Sequence, residues 1–123
     1  MTRSRASAKK AGTRFETSIA AYLATHVDDR IERRARTGAK DRGDIGGLRS
    51  GGNRVVVECK DHGGQLRPGE WLRETEIERG NDDAAVGLVV AKRRGTADPG
   101  DQIVLMTMRD LVALITGQRP PEE

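Results

Sequence analysis

The stretch Arg54-Val55-Val56-Val57-Glu58-Cys59-Lys60 predicts a buried β-strand. Three β-branched valines in succession suit the pleated, half-buried surface of a sheet. Side chains alternate between the two faces of a strand, which divides these residues into two sets. One face carries Val55, Val57 and Cys59, and the other carries Val56, Glu58 and Lys60. An acidic and a basic side chain are therefore predicted to project side by side from the end of this strand.

A second carboxylate lies upstream of this strand, because Asp44 follows a glycine turn. Asp44 and Glu58 together offer the hard oxygen ligands that Mg²⁺ prefers, and the ammonium of Lys60 would lie beside the ion. Two carboxylates and a lysine are the smallest set of side chains that supports metal-assisted hydrolysis of a phosphodiester bond. The alternative for Glu58 and Lys60 is an ordinary salt bridge across the sheet.

The order of these residues, Asp44 and then Glu58-Cys59-Lys60, resembles the motif of the PD-(D/E)xK nuclease superfamily. Within that superfamily the chain is similar to the archaeal-type Holliday junction resolvases and their phage relatives. Glu16 in a predicted N-terminal helix and the basic stretch 33–38 before Asp44 also match that family. The likeness extends over nearly the whole chain. Gly43 stands before Asp44 in place of proline, a departure that is common in the superfamily.

The resemblance implies a Mg²⁺-dependent endonuclease that recognises DNA shape and hydrolyses phosphodiester bonds in four-way junctions, in recombination or repair. It implies Asp44, Glu58 and the backbone carbonyl of Cys59 as metal ligands, with Mn²⁺ able to replace Mg²⁺. Glu16 would join this catalytic set through a water molecule or a second ion, and the alternative for it is a structural ion pair with an arginine. Lys60 would orient or deprotonate the attacking water, or stabilise the charge of the phosphorane.

Two other functions remain open at this point. One is a different nuclease of the same superfamily, of the flap, nicking or restriction type. The other is a non-catalytic basic DNA-binding protein whose acidic residues form only salt bridges. Metal dependence separates the last from the nucleases, and the choice among junction, flap and linear duplex separates the nucleases from one another.

Positive charge is grouped along the chain, which carries a net charge of +3 and has an isoelectric point of about 9.4. Basic groups of this kind suit a phosphate backbone, although a solvated, solubilising surface is the alternative. The residues predicted to contact nucleic acid are Arg14, Arg34, Arg36, Thr37, Lys40, Arg42, Lys92, Arg93 and Arg94. Thr37 is included only because resolvases carry a serine or threonine at the corresponding place.

Composition limits the chain to one domain of 123 residues with a thin core, because 33% of the residues are charged and 2% are aromatic. A thin core favours burial against a second copy, so a homodimer is expected. Cys59 is the only cysteine, which fits the reducing cytoplasm of a bacterium or a phage-infected host. No apolar run suits a signal peptide or a membrane span. No P-loop occurs, so a nucleotide cofactor is not expected.

The pattern of elements predicts an α/β fold: a single domain with a central mixed β-sheet flanked by helices, in the order α-β-β-β-α-β-β-α, as in restriction endonucleases. The strand after the second helix should run parallel to residues 54–60. The predicted helices are 12–25, 68–79 and 109–116, and the predicted strands are 31–37, 44–48, 54–60, 85–92 and 102–107. Residues 1–10 are predicted as a flexible basic arm, 11–117 as the nuclease domain and 118–123 as a disordered tail.

Three further side chains, Trp71, His26 and His62, are of types that can take part in binding or catalysis. Trp71 is predicted to pack in the core or a dimer interface in preference to stacking on a base. His26 and His62 are isolated in the sequence, and the carboxylates already account for a metal site. Neither histidine is therefore predicted as a ligand.

Overall fold

The computed structural model describes residues 3–34 and 42–122. Arg36, Thr37 and Lys40, three of the predicted nucleic-acid contacts, lie outside the described residues. The helices are α1 (Arg5–His26), α2 (Pro68–Asn81) and α3 (Met108–Thr116). The strands are β1 (Glu32–Arg33), β2 (Ile45–Gly46), β3 (Arg49–Ser50), β4 (Asn53–Lys60), β5 (Val86–Ala91) and β6 (Ile103–Leu105).

The described strands form one mixed sheet with the order β1-β2-β4-β5-β6, and β3 pairs with the start of β4. The pairings of β1 with β2 and of β2 with β4 are antiparallel. The pairing of β4 with β5 is parallel and joins Lys60 in register with Ala91. This arrangement confirms the predicted α/β fold, including the parallel strand that follows the second helix.

The two faces of β4 meet different helices, as the alternation of its side chains predicts. Cys59 and the valines on its face pack with Phe15 and Ile19 of α1. On the other side of the sheet, Trp71 of α2 packs against Val89 and is only 1% exposed. Trp71 is therefore a core residue, and β4 lies between two layers of helix.

The first helix begins earlier than predicted, at Arg5 and not near residue 12. The Ser4 hydroxyl accepts a hydrogen bond from the backbone N–H of Ser7 at 3.1 Å, which caps the helix. Alanine residues follow this cap, and alanine has the highest helix propensity. Residues 5–10, predicted as part of a flexible arm, are therefore helical.

The C-terminal tail begins with an anchored residue, Arg119. The Arg119 guanidinium donates to Asp110 at 2.6 Å and to the carbonyl of Ala85 at 2.8 Å. Asp110 is buried and also accepts from the backbone N–H of Gly87 at 3.1 Å. The predicted disorder from residue 118 is therefore wrong at Arg119, because a buried carboxylate holds its side chain. Among the helices of the described residues, none combines the length and apolar character needed to cross a bilayer.

Candidate active site

Asp44 directly precedes β2 and Glu58 lies on the neighbouring strand β4, and both side chains are buried, at 4% and 2% exposure. The backbone N–H of Asp44 donates to the carbonyl of Val57 at 2.8 Å, which fixes Asp44 against β4. One Asp44 carboxylate oxygen accepts from the backbone N–H of Cys59 at 2.8 Å. The strand pairing therefore brings together the two carboxylates that the motif predicts.

Gly43 explains how the chain reaches this position. Its φ is +95°, and a Cβ placed there would lie 2.9 Å from the side chain of Val56 and 3.0 Å from the carbonyl of Val57. Only glycine adopts this conformation without strain and leaves the strands this close. The residue that departs from the superfamily motif is thus the residue that lets Asp44 approach β4.

The electrostatics of the pair are those of two acids held in a poorly solvated place. Burial raises the pKa of Asp44 to about 8, the negative charge of Glu58 adds to the effect, and the Cys59 N–H opposes it. Glu16 raises the Asp44 pKa further. Two such carboxylates ionise together only with difficulty unless a cation compensates their charge.

Cys59 contributes its backbone to the site and its side chain to the core. Backbone N–H and C=O groups of one residue point to the same side of a strand, so the Cys59 carbonyl faces the Asp44 side along with its N–H. The next carbonyl, that of Lys60, accepts from Lys92 on the opposite side at 2.9 Å. Burial raises the pKa of the Cys59 thiol well above its usual range, which makes the thiol unreactive.

Lys60 lies beside the carboxylate pair, and its side chain is 16% exposed. Its ammonium is 3.6 Å from a Glu58 oxygen and 2.7 Å from Glu74 on α2. Burial lowers the pKa of Lys60, but the hydrogen bond to Glu74 and the charges of Glu58 and Glu74 outweigh it and raise the pKa. The salt bridge between Glu58 and Lys60, which was the alternative to a catalytic pair, is present at 3.6 Å, with Glu74 as a second and closer partner of Lys60.

Glu74 was not predicted from the sequence, although a signal for it exists. Once Trp71 is assigned to the core, Glu74 and Thr75 fall three and four residues later on the same side of a helix. Thr75 is buried, and Glu74 beside it is half-buried. A helical projection anchored on Trp71 would have directed Glu74 toward the sheet.

The structural ion pair offered as one interpretation of Glu16 is present, and the catalytic role of this residue stays a prediction. Its carboxylate pairs with the Arg33 guanidinium at 3.0 Å, which is the structural ion pair. It also lies close enough to Asp44 to raise the pKa of that residue. Glu16 is therefore both anchored by an arginine and part of the acidic group at the site.

Two cavities open on either side of Glu16. The first, of about 610 Å³, is lined by Glu16, Glu58, Lys60, Arg3, His62 and Gln65, among others. The second, of about 460 Å³, is lined by Asp44 and Glu16 together with Lys9, Thr13, Arg33 and Arg34. The acidic group is thus accessible from two sides, and basic side chains line both approaches.

Arg3 closes one edge of the first cavity by reaching from the start of α1 to the loop after β4. Its guanidinium pairs with the Asp61 carboxylate at 3.2 Å and contacts the Asp61 carbonyl at 3.4 Å. The same carboxylate accepts from the backbone N–H of Gly63 at 3.1 Å. The beginning of α1 is therefore tied to the segment that directly follows Lys60.

The described residues contain no ready-made group of three His, Cys, Asp or Glu side chains in positions to hold a metal ion. The ligand set implied by the motif does not need one, because it consists of two carboxylates and a backbone carbonyl. Mg²⁺ usually keeps several water molecules and takes only one or two carboxylates from the protein. Asp44, Glu58 and the orientation of the Cys59 carbonyl fit that set.

The described basic residues that were predicted to contact nucleic acid differ in the contacts of their side chains. Arg34 donates to the carbonyl of Arg42 at 2.7 Å, and both arginines lie within 3.8 Å of Asp82. Lys92 follows β5, and its ammonium donates to the carbonyls of Arg93 and Thr96. The side chains of Arg14, Arg93 and Arg94 are exposed.

The two histidines differ in their distance from the site. His62 lines the first cavity and packs its ring against Trp71, with 5.1 Å between the ring centroids. Burial and the charge of Lys60 lower the pKa of His62. His26 packs against Tyr22 at the far end of α1.

Comparison of this chain with protein-family models, with curated proteins and with solved structures finds no match. The nuclease interpretation therefore depends on the residues and the geometry described above.

Proposed function

We propose that this protein is a Mg²⁺-dependent, structure-selective DNA endonuclease of the PD-(D/E)xK type that cleaves four-way junctions as a homodimer. The observation that carries this proposal is the burial of Asp44, at the start of β2, and of Glu58 on β4, with Lys60 beside Glu58 and a cavity lined by Glu58 and Lys60. Two carboxylates buried side by side are costly for folding. A binding site for a divalent cation gives this costly arrangement a purpose.

Each residue of the site has a part in this function. Asp44, Glu58 and the Cys59 carbonyl would hold the ion, which when bound would supply Lewis-acid chemistry to the phosphate and to a water. Lys60 places a positive charge next to the position where negative charge develops during hydrolysis. Glu16, fixed by Arg33, adds a further acceptor for a water molecule at the edge of the site.

The distribution of charge supports a nucleic-acid substrate. Exposed or half-buried cations lie near the strand ends that carry the site, and contacts of this kind bind phosphates regardless of base sequence. They include Arg34 and Arg42 before β2 and Arg93 and Arg94 after β5. Selection of a junction then follows from two sites related by a two-fold axis, which match two opposed strands.

The test is cleavage of an end-labelled four-way junction, a flap and a linear duplex with shared sequences, with Mg²⁺ and with chelator. The expected result is Mg²⁺-dependent nicking of the junction, which the Lys60→Ala variant purified in parallel does not produce. Equal cleavage of flap or duplex would favour another nuclease of the superfamily. Tight DNA binding without cleavage in Mg²⁺ or Mn²⁺ would favour the non-catalytic DNA-binding protein.

A further inference from the structure

The Lys60 ammonium lies between carboxylates from two different elements. It is 2.7 Å from Glu74 on α2 and 3.6 Å from Glu58 on β4. In the described part of the chain these two carboxylates are its ion-pair partners, and Asp44 is not among them. The closer contact is therefore with the helix and not with the strand that carries Glu58.

This direction matters because an ammonium is itself a cation. Asp44 and Glu58 lie close together with little solvent, and such a pair attracts any cation within reach. Lysine carries its charge on a flexible four-carbon stem, so its position depends on the acceptors around it. Without an acceptor on α2, the ammonium of Lys60 would be drawn toward both carboxylates.

We propose that Glu74 is a positioning residue that holds the Lys60 ammonium toward α2 and keeps it out of the cation position between Asp44 and Glu58. The part that concerns the cation builds on the proposed function. The restraint on Lys60 is independent of that function, since it follows from the contact between two side chains.

The restraint is tested by the position of the Lys60 side chain. In protein labelled with ¹³C-lysine, the three-bond couplings that report the Lys60 rotamers should change in Glu74→Ala, because the ammonium then moves toward Asp44 and Glu58. They should change less in Glu74→Gln, which keeps an acceptor oxygen. Glu70→Ala is the matched control, because Glu70 lies one turn earlier on α2, is 53% exposed and pairs with Arg67 at 3.9 Å. A Lys60 signal that is the same in wild type and Glu74→Ala would overturn the restraint.

The competition is tested by Mn²⁺ binding, measured by calorimetry at one pH. Glu74→Ala should bind Mn²⁺ about tenfold more weakly than Glu70→Ala. Removing Lys60 as well, in Lys60→Ala/Glu74→Ala, should restore the affinity, because no ammonium then competes. If the Glu70 and Glu74 variants lose equal Mn²⁺ affinity, the loss of one negative charge from α2 would explain the effect. That result would overturn the competition.

A wild-type protein that binds neither Mn²⁺ nor Mg²⁺ would contradict the proposed function and the competition together. The rotamer measurement would still decide whether Glu74 restrains Lys60. Failure of the function and failure of the restraint are therefore distinguishable.

Discussion

At the scale of single residues, Asp44 is a carboxyl whose ionisation opposes folding. Its pKa is raised to about 8 by burial and by Glu58, whereas an unfolded chain ionises an aspartate near pH 4. Between these values the folded state holds the extra proton, so stability falls as the pH rises through this window. Urea denaturation of wild type in chelator from pH 5 to 9 should show this fall, and Asp44→Asn should show a smaller one.

Addition of Mg²⁺ provides the control for that prediction. If the cation binds the ionised carboxylates, it should increase the stability of wild type most at high pH and leave Asp44→Asn nearly unchanged. A wild-type stability in chelator that is constant from pH 5 to 9 would contradict the raised pKa.

Lys60→Ala should remove cleavage while leaving the fold and junction binding largely intact. Its charge acts where negative charge develops in the transition state, so kcat should fall by at least about 100-fold, or ~2.7 kcal/mol of barrier. Single-turnover cleavage gives the rate, and a gel-shift titration in chelator gives the affinity. Near-wild-type turnover would remove Lys60 from the catalytic role.

The residues of the site differ in how far sequence alone reveals them. Glu58 and Lys60 share a strand, and a period of two places them on one face without knowledge of the rest of the fold. Glu74 contacts Lys60 only because α2 packs at a particular position along β4. That position depends on how Trp71 packs against the sheet, which local sequence patterns do not encode.

At the scale of elements, the approach of β2 to β4 depends on the turn at Gly43. Gly43→Ala would force a Cβ into contact with Val56 at a positive φ, so it should reduce stability by about 1–3 kcal/mol. It should also displace Asp44 and weaken Mn²⁺ binding. Gly80→Ala is the control, since nothing lies within 4 Å of a Cβ there. Thermal denaturation and calorimetry of both variants would test this, and equal effects would contradict it.

The start of α1 at Arg5 differs from the start near residue 12 that local sequence patterns predict. A high density of lysine and arginine favoured a flexible arm before residue 10, yet those side chains are solvated along an exposed helix face and cost the helix little. Ser4 carried the signal of a cap, because its hydroxyl can accept from the helix N-terminus. The anchoring of Arg119 required knowledge of Asp110, which lies on another element and is buried by long-range packing.

At the scale of the whole molecule, the exposed arginines after β5 should govern affinity for DNA more than choice of shape. Replacing Arg93 and Arg94 with alanine should weaken binding to junction, flap and duplex alike. The slope of log affinity against log salt should flatten by about one for each lost phosphate contact. Fluorescence anisotropy over a salt series measures both quantities.

Preference for the junction should survive this double substitution, because the spacing of two sites in a homodimer would set it. Light scattering at the concentration of the binding assay gives the oligomeric state. A monomer at that concentration, or loss of junction preference with an unchanged salt slope, would contradict the dimeric resolvase and favour a general nuclease.

The ion pair between Arg3 and Asp61 has a practical consequence for handling the protein. Arg3 lies at the edge of the first cavity, so a purification tag fused ahead of it would emerge beside the candidate site. At the other end of the chain, Pro120 and Pro121 line a separate cavity against α3. An affinity tag placed after residue 123 should therefore disturb binding at the candidate site less than a tag placed before Arg3.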